Sequence, residues 1–335
     1  MRVRQQDIAR LAKVSQATVS RVLAGDDKVD STITERVRAV MQAHNYQPDV
    51  RARSLRSRRT GLIGMVLKRP HGGLNSDPFF ASLIAEIMDF LDGEPYHLCL
   101  DVASDAESQV AIYDEMLRTR RVDGLILVES EARDERIQRL QDDAFPFILI
   151  GNPWDTDRIW SVDNDNALAS ELATEHLLEQ GYERVGMIGG PVGITVSEDR
   201  IQGYTKAVNL AGQMPRVWRS NFGSKSARET AVAALTSDNP PDALVVLDDY
   251  MAMGVVQAGR QVGRQIPSEL GLVSFNDSHL CDLLERGLSS VSLNIDAIVR
   301  HACEQLIQAI NGEEGSEPLR CIIPTELHVR GSSQR

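Results

Sequence analysis

The 335-residue chain carries 42% hydrophobic and 25% charged residues, four cysteines and a formal net charge of −12. That balance is ordinary for globular domains, excludes an intrinsically disordered or disulfide-stapled chain, and leaves room for two or three compact units. No apolar run approaches the roughly 18 residues that cross a bilayer, and Met1-Arg2-Val3-Arg4 lacks the apolar core of a secretory signal, so a cytoplasmic protein is expected.

The first predicted elements lie in the run from Asp7 to Leu23. Ile8 and Ala12 stand one helical turn apart, as do Val19 and Val22, so two short helices each carry one apolar face. Ala9 is small where the helices must cross. Ser15 stands at the N-cap of a second helix running from Gln16 to about Leu23, and the pair reads as a helix-turn-helix. Ser15, Gln16, Ala17, Thr18, Ser20 and Arg21 form its candidate DNA surface. In a major groove Gln pairs with adenine, Arg with guanine, and Ala or the Thr methyl meets a thymine methyl. An amphipathic hairpin inside some other fold is the alternative.

Charge is split along the chain. Residues 1–60 hold 13 Lys+Arg against 6 Asp+Glu, whereas the remainder is strongly acidic. A basic head releases counterions from phosphates while an acidic body is repelled by them. After the loop at Asp26-Asp27-Lys28, Ser31 or Thr32 is expected to cap a third helix bearing Val37, Val40 and Met41 on one face. It ends near Asn45-Tyr46-Gln47-Pro48, since Pro48 disfavours helix before it. Residues 49–59 contain five arginines around Leu55. So short a helix is unstable alone in water and should fold only against a partner or DNA.

From Thr60 short apolar runs alternate with helical stretches: 62–67, 96–100, 124–128 and 147–150, with helices near 80–91, 106–118 and 134–141. A second series follows at 185–189, 243–247 and 271–275, with helices near 168–180, 201–210, 226–235 and 250–262. This alternation predicts parallel sheets covered on both faces, in two similar α/β units with a cleft between them. Ligands collect beyond the carboxyl ends of such strands. Asp163-Asn164-Asp165, Asp248-Asp249 and Asn276-Asp277 all follow apolar strands, and Arg200 is expected to open a helix. Carboxylates, amides and an Arg fork suit a ligand with many hydroxyls, although any one Asp or Asn there also serves as a turn or helix cap.

No GxSxG, HExxH or GxxxxGK[ST] sequence is present, and the scattered cysteines and histidines have no metal-ligand spacing, so no enzyme, metal or cofactor is expected. Taken together, Asp7-Ile8-Ala9, Val14-Ser15, Thr18 to Leu23, Tyr46-Gln47-Pro48 and Ala52-Arg53-Ser54-Leu55 resemble the amino-terminal region of the LacI/GalR family of bacterial transcription regulators, and the resemblance continues along nearly the whole chain. Two residues depart from it: Lys13 stands where Gly is usual in the turn, and Asp49 replaces a common asparagine.

The resemblance implies a small all-α helix-turn-helix head on an α/β core of two doubly wound subdomains, like that of periplasmic binding proteins. It divides the chain into a head (1–48), a hinge helix (49–59), an N-subdomain (60–161 and 291–320) and a C-subdomain (162–290 and 321–335). It also implies that Gln16 and Ala17 set operator sequence, that Arg21 reads guanine, and that Arg53 and Leu55 belong to a hinge whose leucine wedges into the minor groove. Its effector residues map onto Asp77, Phe79, Phe80, Arg200, Phe222, Asp248 and Asn276, with Leu293 or Asn294 where a polar contact is common. The implied partners are pseudo-palindromic double-stranded operator DNA, a sugar effector, and a second copy or three further copies of the chain. The alternatives are a nucleoside or purine co-repressor, or a sugar-binding protein without a DNA role.

Overall fold

The computed structural model describes residues 3–23, 26, 28–46, 59–68, 78–154, 158–312 and 320–335. The chain divides into two compact units, Met1–Thr60 and Gly61–Arg335.

In the first unit three helices, α1 (Gln5–Leu11), α2 (Gln16–Leu23) and α3 (Ser31–Ala43), bury Ile8, Ala9, Ala12, Val19, Val22 and Val37 in a common core. The turn between α1 and α2 puts Lys13 at φ 53°, the left-handed conformation for which glycine is the usual residue. Ser15 caps α2, its Oγ accepting from the Thr18 amide at 3.0 Å. Helix α3 is capped differently from expectation. Neither Ser31 nor Thr32 does it; the Asp30 carboxylate accepts from the Thr32 amide at 2.8 Å, because an anion one residue earlier meets the unpaired N–H groups better than a hydroxyl inside the first turn. The Arg36 Nε of α3 donates to the Ala12 carbonyl at 3.0 Å, tying the third helix to the end of the first.

The second unit contains two six-stranded sheets. The first is parallel throughout, in the order β11-β5-β4-β3-β1-β2, from strands β1 (Leu62–Lys68), β2 (His97–Ala103), β3 (Gly124–Val128), β4 (Phe147–Ile150), β5 (Ser161–Asn164) and β11 (Arg320–Ile323). Alternate residues feed opposite faces. Ile63, Met65 and Leu67 pack with helices α4 (Pro78–Leu91) and α11 (Ile295–Asn311), while Leu125, Leu127 and Leu149 pack with α5 (Ala106–Thr119) and α6 (Glu135–Asp142).

The second sheet runs β12-β10-β9-β8-β6-β7: β6 (Val185–Gly189), β7 (Val217–Arg219), β8 (Ala243–Val246), β9 (Gly271–Phe275), β10 (Ser289–Ser292) and β12 (Glu326–His328). Only β12 is antiparallel to its neighbour. Helices α7 (Asn166–Glu179), α8 (Thr195–Leu210), α9 (Ser224–Leu235) and α10 (Asp249–Gln261) cover it. Two of the helix pairs are in backbone contact. A side chain at Gly203 of α8 would place its Cβ 1.8 Å from the Ala167 carbonyl oxygen of α7, and one at Gly254 of α10 would stand 2.1 Å from the Ser224 carbonyl oxygen of α9.

The chain passes between the sheets after Asn164, Ser292 and Ile323, two or three residues beyond the sequence divisions at 161, 290 and 320. No helix among the described residues is long and apolar enough to cross a membrane.

Candidate nucleic-acid surface and ligand cleft

On the head, Gln16, Ala17 and Arg21 of α2 are exposed. Thr18 and Ser20 differ from expectation in being half-buried, and the Thr18 hydroxyl lies 2.8 Å from Ser15 Oγ in the capping turn. The outward group is therefore a triad of amide, methyl and guanidinium, with Ser15 and Thr18 occupied in fixing where the helix begins. Arg53 and Leu55 lie outside the described residues.

In the core a cleft opens between the lobes, a concave site of the kind in which small molecules bind. It brings together six of the expected effector residues, Phe79, Phe80, Arg200, Phe222, Asp248 and Asn276. Asp77 lies outside the described residues. Phe79 and Phe80 occupy the first turn of α4, their rings meeting edge to face with centroids 5.1 Å apart. Phe222 stands just before Gly223 (φ 107°), whose conformation turns the chain into α9. Leu293 lines the cleft, whereas Asn294 donates its Nδ2 to the Pro324 carbonyl at 2.6 Å, so the position in question is apolar here.

Arg200 does not open its helix as expected. Helix α8 starts at Thr195, and Arg200 sits more than a turn inside, 4% exposed. Its Nε donates to Asn166 Oδ1 at 2.9 Å and its Nη1 to the Leu247 carbonyl at 2.6 Å. The guanidinium carbon lies 4.0 Å from the centroid of the Phe275 ring. Burial pulls its pKa down to about 10 against the fields of Asp163, Asp248, Asp249 and Asp199, so it stays charged at neutral pH. A held, desolvated fork of this kind has further N–H donors for a ligand's oxygens.

Asp163 and Asn164 were expected just beyond a strand but form the last two residues of β5 and face the cleft. Asp163 Oδ1 accepts from the Asn164 amide at 2.8 Å and from Asn166 Nδ2 at 3.0 Å. Burial still pushes its pKa up to about 7. Asn164 Nδ2 donates to the Leu293 and Ile323 carbonyls, so it ties two lobe crossings together. Asp248 caps α10, accepting from the Met251 amide at 2.6 Å, while lining the cleft. Asp249 is structural, accepting from Ser274 Oγ at 2.5 Å, Ser290 Oγ at 2.7 Å and the Ser278 amide at 2.7 Å.

Sequence reasoning gave no role to Ser130 and Thr195, which line the cleft from opposite lobes with their hydroxyls 2.7 Å apart. Nothing in their local sequence distinguishes them from ordinary loop hydroxyls. Among the described residues no cluster of His, Cys, Asp or Glu could hold a metal ion.

Residues 5–49 match the model for bacterial regulatory proteins of the lacI family, and residues 174–333 match the periplasmic binding protein-like domain. The chain is 28% identical over 331 residues to the HTH-type transcriptional regulator CelR of Thermobifida fusca, covering 97% of this chain and 96% of that protein. It is 28% identical over 336 residues to catabolite control protein A of Staphylococcus aureus, covering 100% of both. Among solved structures it superposes on a CelR–cellobiose complex with a TM-score of 0.76 at 26% identity, covering 99% of this chain and 100% of that one. The lac repressor dimer bound to operator and the anti-inducer ONPF shares the fold, with a TM-score of 0.84 at 22% identity over 100% of both chains.

Proposed function

Because the chain belongs to the LacI family of bacterial regulatory proteins, we propose that it is a cytoplasmic, sequence-specific repressor of carbohydrate-metabolism genes, controlled by a sugar bound between its two lobes. The observation that carries this reading is the cleft itself. One protonated, buried arginine, carboxylates and amides from both lobes, and the Phe79, Phe80 and Phe222 rings offer donors, acceptors and stacking faces to a polyhydroxylated ring. Asp163 and Asp248 beside Arg200 disfavour phosphorylated or carboxylated ligands.

Arg200, Phe79, Phe80, Phe222, Asp248 and Asn276 are the proposed effector contacts, with Asp77 beside them. Gln16, Ala17 and Arg21 are the proposed base readers, supported by Ser15, Thr18 and Ser20, and Arg53 and Leu55 are the proposed hinge contacts. Two copies read the two halves of a pseudo-palindromic operator, since two-fold protein symmetry selects two-fold DNA. The effector controls operator affinity only through its preference for one lobe arrangement over another.

The test uses the full chain to enrich duplexes from a random pool, then follows anisotropy on the enriched duplex with cellobiose, maltose, glucose and adenosine. A pseudo-palindrome should be enriched, and one of the sugars should shift the affinity. Arg200→Ala should lose that shift while still binding DNA without ligand. Absence of enrichment would reject the DNA role, and a response to adenosine alone would reject the sugar.

A further inference from the structure

The two lobes touch directly at the rim of the cleft, through residues outside its polar centre. Asp199, on α8 of the second lobe, accepts with both carboxylate oxygens from donors of the first lobe that follow β4. Asn152 Nδ2 reaches Oδ2 at 2.8 Å and the Trp154 indole N–H reaches Oδ1 at 3.1 Å. Neither Asn152, Trp154 nor Asp199 lines the cleft.

Next to this contact the backbone of one lobe pairs with that of the other. Glu131 and Ile194 form an antiparallel bridge, with the Ala132 amide donating to the Gly193 carbonyl at 3.1 Å and the Thr195 amide to the Ser130 carbonyl at 3.1 Å. Ser130 Oγ also donates to the Asn152 carbonyl at 3.0 Å, joining the bridge to the carboxylate contact. Each side of the bridge is braced from within its own lobe: Lys68 pairs with Glu131 at 2.8 Å, and Glu198, gripped by both Nη atoms of Arg219 at 2.7 Å, accepts from the Gly193 amide.

The covalent crossings cannot hold this arrangement by themselves. In the second sheet the crossing strands β12 and β10 lie at one edge, and β9 and β8 separate them from β6, whose loop carries the bridge. The lobes are thus tied covalently on one side and by hydrogen bonds on the other. A carboxylate accepting two neutral N–H groups makes hydrogen bonds about twice as strong as uncharged ones.

We propose that Asp199 is a positioning residue that latches the two lobes together in the absence of ligand and so sets the separation of the cleft walls. If a ligand needs that separation, its apparent affinity falls in proportion to the fraction of molecules left unlatched; this consequence rests on the ligand reading above, whereas the latch itself does not.

The test therefore needs no ligand. Amide hydrogen exchange is measured on the full chain, comparing wild type with Asp199→Ala and with the double variant Asn152→Ala/Trp154→Phe, which removes the donors from the opposite lobe. Both variants should speed exchange at the Ala132 and Thr195 amides by about tenfold or more, while the β6 and β8 amides keep their protection. Unchanged protection at Ala132 and Thr195 in Asp199→Ala would overturn the proposal. So would a loss seen in Asp199→Ala but not in the double variant, which would place the effect in the start of α8, and so would equal loss in β6 and β8, which would mark general destabilisation.

Discussion

Asp163 and Arg200 are each nearly removed from water at the same cleft, and their charges answer differently to that burial. Arg200 keeps its proton at neutral pH despite a pKa lowered to about 10, because burial is opposed by four aspartates. Asp163 is pushed up to about 7, chiefly by burial; its bond from the Asn164 amide lowers it, Asp199 raises it, and Arg200 and Arg320 lower it. An acid whose folded pKa exceeds the unfolded value holds a proton that the unfolded chain has already released. Between about pH 4 and 7 this group's contribution therefore erodes as pH rises, and above 7 the whole cost is present. Asp163→Asn removes that cost. The variant's unfolding free energy should gain on wild type progressively from pH 5 to pH 8, by an amount on the order of a few kcal/mol at the upper end, read from melting profiles at each pH. Parallel melting profiles would show that Asp163 is solvated or paired in solution.

At the scale of elements, close backbone approach decides which helices can pair. Ala167 and Gly203 bring α7 and α8 together so tightly that any Cβ at 203 must displace a carbonyl. Gly203→Ala should lose roughly 1–3 kcal/mol from overpacking, measured by thermal unfolding of the full chain. An unchanged midpoint would mean that the helices separate without cost. Elements with long apolar or strongly periodic runs were legible in the sequence: β1, β3, β6, β8 and β9 are five such runs, and each fell within a residue or two of its observed span. Three of the four edge strands were not. β7, β11 and β12 are three or four residues each, only partly buried, and carry Arg219, Arg320 and Glu326 among their few side chains, so nothing in them shows a hydrophobic alternation. Helix α8 was read as beginning at 201 because Thr195 to Arg200 has no apolar period; Thr195, Ser197 and Arg200 are buried there on polar contacts. The cleft was legible residue by residue wherever a polar group follows a strand. The lobe-to-lobe partners Ser130, Asn152 and Asp199 were not, since their meaning depends on which distant segment faces them.

For the whole molecule, the exposed face of α2 carries Gln16, Ala17 and Arg21, the proposed base readers. Arg21→Ala should cost about 1–3 kcal/mol at the preferred operator and relax specificity at one base position, measured by anisotropy on a set of single-base operator variants. Uniform weakening across all of them would make Arg21 a phosphate contact instead. Leu55→Ala should reduce DNA bending in a circular-permutation gel assay and weaken operator binding, because an intercalated side chain is what kinks the duplex. An unaltered bend angle would remove Leu55 from that role.

Strand β11 closes the first sheet by pairing Cys321 with Val162 and Ile322 with Asp163, and β12 then closes the second against β10. During synthesis the outer edge of β5 is thus finished some 156 residues before its neighbour leaves the ribosome. At the usual 5–20 residues per second that is roughly 8–30 s. For that interval the nascent first lobe presents an unpaired parallel edge, the kind of surface that recruits a stray strand from another chain. Neither lobe can be completed from a contiguous stretch: the first sheet waits for β11 and the second for β12.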